Sequence, residues 1–262
     1  MPLIFGAICP HPPLLIPEIG RENLKLIGLT VTSLKSLEAG LYQANPETII
    51  IITPHGELLK ESFTINHSPK LKVDFEKFGD LTTKLAFDNN LGLGYQIREK
   101  LETKLPVILT TDAKLDHGAG VPLYYLAQKL KNIKIIPIGY SLLNRKKHYE
   151  FGQKIRKIID QSNERVAVIA SGDLSHRLTS EAPAGYSEKG FEFDQLLVKL
   201  LKEKKIDKIL KMNKSLIDEA GECGYRSILI LLGIFHELNY RIEVLSYEGP
   251  FGVGYLVANF RF

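Results

Sequence analysis

Disulfides, a membrane span and a nucleic-acid footprint are all missing from this chain, and each absence narrows what it can be. Only Cys9 and Cys223 occur in 262 residues, so no disulfide framework holds the fold and a reducing compartment is expected. No apolar run approaches the roughly 18 residues that a bilayer-spanning helix needs, and no basic stretch followed by an apolar signal core is seen at the start. A cytoplasmic protein without membrane contact is therefore expected. The 34 Lys and Arg are interspersed with 30 Asp and Glu, as on an ordinary solvated surface, so no nucleic-acid partner is expected. Gly-rich phosphate loops are absent, and Ser171, Ser175 and Ser227 lack a G-x-S-x-G elbow, which argues against nucleotide binding and serine catalysis. With no repeats, low-complexity tracts or Gly/Ser linkers, residues 1–262 read as a single domain.

What is present is an alternation. β-Branched apolar runs at 3–9, 48–53, 106–110, 133–138 and 165–171 read as buried strands. Between them, segments 21–43, 83–103, 121–131, 145–161, 188–202 and 224–238 carry helical periodicity, clearest where Leu24, Ile27, Val31, Leu34, Leu37 and Leu41 share one face. The runs "YRIEVLSYE" and "GVGYLVANF" flank the turn "GPFG" and predict a closing antiparallel pair, while 56–82 reads as an insertion with two short extended pieces. The pattern predicts an α/β fold with a mostly parallel, mixed central sheet and helices on both faces.

Ligands of open α/β sheets bind beyond the carboxyl ends of the strands, and the histidines collect there. His11 in "CPHPP" follows the first strand, His55 in "TPHG" the second, His117 in "DHGAG" the third, and His176 in "SGDLSH" the fifth. Pro10, Pro12, Pro13 and Pro17 surround His11, and their fixed φ stiffens the loop as a metal ligand requires. For a lone histidine a satisfied, partly buried imidazole is the simpler reading; four at one sheet edge, with Gly or Pro adjoining His11, His55 and His117, favour a metal or acid-base site. Two imidazoles need a third donor, and "GECGY" offers Glu222, with neighbouring Cys223 as the alternative and helix capping as the bland reading for Glu222. Two His and a carboxylate fit either a non-haem Fe(II) oxygenase or a zinc hydrolase. His176 and His117 remain as acid-base candidates, with Asp173 placed to orient His176 or to cap a turn, and Ser175 and Tyr186 as pocket residues. Further pocket lining is assigned to Tyr125, Tyr140, Phe191 and Phe251.

The ordered set "CPHPP", "TPHG", "DHGAGVPLYYL", "SGDLSH", "GECGYRS" and "YEGPFGVGYLV" resembles the class III extradiol ring-cleavage dioxygenases, the LigB-like superfamily. It is most similar to the branch called AmmeMemoRadiSam system protein B, with the Memo-like proteins. The resemblance implies an α/β domain in a homo-oligomer, with Fe(II) held by His11, His55 and Glu222, a site that Zn(II) can occupy instead in purified protein. It implies His176 as acid-base catalyst, His117 as a second catalytic histidine, and Asp173 and Ser175 at the substrate, a catechol-type diol cleaved beside its hydroxyls with O2. Memo-like relatives carry a cysteine in this region, which implies the alternative of a metal-binding protein working with a radical-SAM partner.

Overall fold

The computed structural model describes all 262 residues. Ten strands form one sheet: β1 (Leu3–Cys9), β2 (Thr48–Thr53), β3 (Phe63–Asn66), β4 (Lys70–Phe75), β5 (Asp80–Asn89), β6 (Val107–Thr110), β7 (Lys134–Gly139), β8 (Val166–Ser171), β9 (Arg241–Glu248) and β10 (Tyr255–Arg261). Nine helices accompany them: α1 (Pro17–Gly20), α2 (Gly28–Ala44), α3 (Leu91–Leu101), α4 (His117–Leu126), α5 (Arg145–Ile159), α6 (Glu188–Lys202), α7 (Ile206–Leu210), α8 (Lys214–Ala220) and α9 (Tyr225–Ile234).

The sheet runs β4-β5-β7-β2-β8-β1-β10-β9. Its centre, β7-β2-β8-β1, is parallel, while β10 and β9 close one edge in antiparallel fashion, as the alternating pattern predicts. At the other edge the sheet forks. Strand β5 pairs with β7 only at Lys134 and Ile135, and β3 takes over at Ile138 and Gly139 with β6 beside it.

Alternate side chains of the central strands feed two cores. Ile50 and Ile52 of β2 enter one core with α5, α6 and α9, whereas Ile49 and Ile51 enter the other with α2 and α4. A strand with both faces covered must be apolar throughout, and every residue of "TIIIIT" is buried. Helix α9 is buried at all ten of its positions save Arg226, which fits a helix apolar on every side.

Three departures from the sequence reading have a clear physical reason. The segment expected as helix 83–103 is strand as far as Asn89, and the helix begins only after Asn90, whose side chain accepts the Leu93 N–H. Leu85 and Phe87 alternate with polar neighbours and pair with Val73 and Leu71 of β4, so tertiary pairing overrides helical propensity. Residues 56–82 contribute β3 and β4 to the main sheet instead of standing apart from it. Helix α4 starts at His117, four residues before the expected start at 121, because the Asp116 carboxylate accepts the Ala119 N–H and caps the first turn.

Candidate metal centre

The histidines of the site follow the carboxyl ends of strands, and Cys223 reaches them from the turn between α8 and α9. His11 follows β1 and is 2 % exposed. Its backbone N–H donates to Asp173 Oδ1 at 2.9 Å, and its Nε2 lies 3.0 Å from His55 Nε2 and 3.5 Å from Cys223 Sγ. His117, the first residue of α4, stacks on His55 with ring centroids 4.4 Å apart. Three imidazoles this close cannot all be protonated. Burial first, and then the neighbouring rings despite Asp173, push His11 down to about 3. Burial and His117 likewise lower His55, and burial lowers His117. All three rings are therefore neutral at pH 7 and offer lone pairs.

Cys223 is delivered by a short reversal. Helix α8 is capped at Gly221, whose φ of 62° is open to glycine at little cost, and after three intervening residues α9 begins at Tyr225. The backbone here crosses the "SGD" segment so closely that a Cβ on Gly172 would stand 2.1 Å from Gly224 Cα. That crossing seats Cys223 and Gly224 against Asp173: their N–H groups donate to its carbonyl at 3.3 and 2.9 Å, and the Asp173 N–H donates to Cys223 Sγ at 3.3 Å. Burial raises the Cys223 thiol well above its ordinary value, so it keeps its proton until a cation displaces it.

His11, His55 and Cys223 present donor atoms within 4.8 Å of one another. The set differs from the expected His11, His55 and Glu222 in its third member. The Glu222 Oε2 instead accepts the Tyr225 N–H at 2.5 Å and caps α9, and burial raises its carboxyl to about 7. Two imidazoles and a thiol suit a late first-row transition ion such as zinc, iron or copper, not magnesium or calcium.

His176 stands beside this group. Its Nδ1 donates to the Gly221 carbonyl at 2.6 Å and its Nε2 lies 3.8 Å from Asp173 Oδ2. Burial alone would lower His176, but the Asp173 carboxylate and the Gly221 carbonyl outweigh it and hold the ring above its ordinary value. Asp173 stays ionised although buried, because the His11 backbone N–H and the His176 ring favour its charge. Ser175, by contrast, is fully buried behind the site. Its hydroxyl donates to the Ala220 carbonyl and accepts the Arg177 N–H, and its own N–H goes to Asp194.

A cleft of about 640 Å³ opens where the sheet forks, with His55, Asp116 and His117 in its wall. The residues expected to line a pocket are elsewhere. Tyr125 bonds the Leu15 carbonyl, Tyr140 is buried, Phe251 packs on a core, and Tyr186 and Phe191 are exposed. The aromatic in the cleft is Phe78, whose ring meets His117 edge-on at 5.1 Å from the tip of the β4–β5 hairpin. Lys77, Lys114 and Asp74 share that wall, the last two as an ion pair at 2.8 Å. Nothing in the "EKFGD" turn marks these residues by sequence alone, because only the fold carries the hairpin over α4.

Comparison with known proteins defines the class. Residues 6–258 match the family described as the catalytic LigB subunit of aromatic ring-opening dioxygenase, and the chain belongs to that family. It is 35% identical over 258 residues to Protein CA_C1420 of Clostridium acetobutylicum, covering 95% of this chain but only 55% of that longer protein. It is 25% identical over 256 residues to a 3,4-dihydroxyphenylacetate 2,3-dioxygenase of Escherichia coli, covering 90% of each. The crystal structure of uncharacterized protein JW3007 from Escherichia coli K12 shares the fold, with a TM-score of 0.70 at 15% identity over 98% of this chain and 99% of that one. No helix is long and apolar enough to cross a membrane.

Proposed function

We propose that this protein is a metal-dependent ring-opening dioxygenase that acts with O2 on a catechol-type aromatic diol. The supporting observation is convergence: two neutral imidazoles, a thiol and a charge-stabilised histidine meet beside an open cleft, in a chain of the ring-opening family. His11, His55 and Cys223 would hold the metal, Fe(II) in the first instance. The metal when bound supplies a site for the diol oxygens and for O2. The rest falls to the protein's own side chains. His117, neutral at pH 7 and outside the ligand set, can take a proton from a diol hydroxyl arriving through the cleft. His176, whose titration point Asp173 raises, can return one to the product when it is protonated. Phe78 faces the ring edge of His117 and sets the width available to an aromatic substrate.

The test is metal analysis of protein purified without oxygen, followed by a 4-nitrocatechol spectrum. Direct chelation shifts the catechol absorbance, and admission of air to an Fe(II)-loaded catechol panel then yields ring-opened product. No shift and no product would remove this reading.

A second reading is favoured by Cys223 itself. A thiolate in place of a carboxylate changes the charge and softness of the centre, as suits a metal-binding protein that works with a radical-SAM partner. Metal-loaded protein that is inert toward every diol, yet is retained by such a partner, would support it. The zinc-hydrolase reading requires activity restored by Zn(II) and not by Fe(II).

A further inference from the structure

Ser171, the last residue of β8, is fully buried and sits in a hydrogen-bond chain that the proposed chemistry leaves unused. Its hydroxyl is in close contact with the Gly118 carbonyl oxygen, and its Oγ lies 2.9 Å from His11 Nδ1. A hydroxyl carries one proton and a carbonyl oxygen none. The Ser171 proton must therefore lie toward Gly118, and the Ser171 oxygen is left as an acceptor. His11 Nδ1 is then the donor. A neutral ring protonated at Nδ1 has its lone pair at Nε2, the atom that faces His55 Nε2 at 3.0 Å and Cys223 Sγ at 3.5 Å. The opposite tautomer would set two lone pairs against each other at Ser171 and turn an N–H toward the other donors.

The far end of the chain is equally fixed. Gly118 lies in the first turn of α4, next to His117. A Cβ there would stand 2.6 Å from Thr53 Oγ1, 2.8 Å from Asp116 Oδ1 and 3.2 Å from His55 Cδ2, so the peptide is wedged among three groups of the site. Its carbonyl is a rigid abutment for Ser171.

We infer that Ser171 is a positioning residue of the metal centre, which sets His11 in its Nδ1–H tautomer and ties that ring to the helix carrying His117. The inference rests on the proposed role of His11 as a metal ligand; it is independent of the third ligand and of ring opening. Partners of this kind fix ligand tautomer and orientation, and their loss typically lowers metal affinity by about 10- to 100-fold.

The experiment uses the full chain, free of metal, with ¹⁵N-labelled histidine. Long-range ¹H–¹⁵N correlations, with His11 assigned from a His11→Gln spectrum, should show a single Nδ1–H tautomer in the wild type. Ser171→Ala should populate the other tautomer and weaken Zn(II) binding, read by competition with a chromophoric chelator, by roughly 10- to 100-fold. Ser171→Thr, which keeps the hydroxyl, should recover most of both. A wild-type His11 protonated at Nε2 overturns the inference even where Ser171→Ala fails to fold, as does a folded Ser171→Ala variant with wild-type tautomer and affinity. Wild-type protein that binds no Zn(II) would overturn the metal reading and this inference together.

Discussion

Asp173, ionised beside it, raises the titration point of His176. The sign follows from the balance of effects: burial disfavours the imidazolium, and a carboxylate 3.8 Å away restores it and more. A reaction that needs protonated His176 is then fastest below its raised titration point and declines as pH rises through it. Asp173→Asn removes the charge but not the size, so the alkaline limb of a pH–rate profile should move to lower pH; an unmoved limb would separate Asp173 from the acid. His176→Ala should cost on the order of 10² to 10⁴ in turnover with metal content unchanged, measured on the same preparation. His11, His55 and His117 were legible in sequence because Gly or Pro adjoins each at a strand exit, and His176 because it closely follows the buried run of β8. The choice between Glu222 and Cys223 was not. Adjacent side chains at a helix start diverge, and which one faces inward depends on how α9 docks against "SGD", a contact between segments about 50 residues apart. Ser171 was equally hidden, since its role depends on a carbonyl 53 residues away.

Elements, more than single residues, hold the centre's geometry. The crossing of the β8 exit over the α9 entry leaves no room for a Cβ at Gly172. Gly172→Ala should force the two backbones apart at a cost of about 1–3 kcal/mol or more and part Cys223 from Asp173. Metal content should fall further than thermal stability, and metal retained at the wild-type level would show that the crossing is not what seats the thiol. Ile51→Ala, in the centre of β2, should cost about 2–5 kcal/mol in denaturant unfolding while leaving the metal stoichiometry intact. The central strands were readable because both their faces are apolar. Strand β5 was not, since the alternation of Leu85 and Phe87 runs straight into the helical periodicity of α3, and the pairing with β4 that decides between them is absent from the local pattern.

Across the whole molecule, a metal would join three remote points of one chain: His55 is 44 residues and Cys223 212 residues from His11. A ligand that binds only the folded state stabilises it by mass action, about 2.7 kcal/mol at a hundredfold excess over Kd. For a protein somewhat above the 150–250-residue class this raises Tm by roughly 5–10 °C, reversibly with a chelator. Affinity should also depend on pH in a way that distinguishes the third ligand. His11 and His55, both lowered below their ordinary value, are already neutral from pH 7 to 9 and release nothing, whereas the thiol must lose its proton. Apparent affinity should then rise about tenfold per pH unit through this range. With Glu222 as the ligand, the rise would level off above its value of about 7. The most direct test of a His-His-Cys centre is the electronic spectrum of the Co(II)-loaded protein. A sulfur-to-cobalt charge-transfer band is predicted in the wild type and in Glu222→Gln, and its absence in Cys223→Ser. A wild-type spectrum without that band, or one abolished by Glu222→Gln and kept by Cys223→Ser, would contradict the assignment.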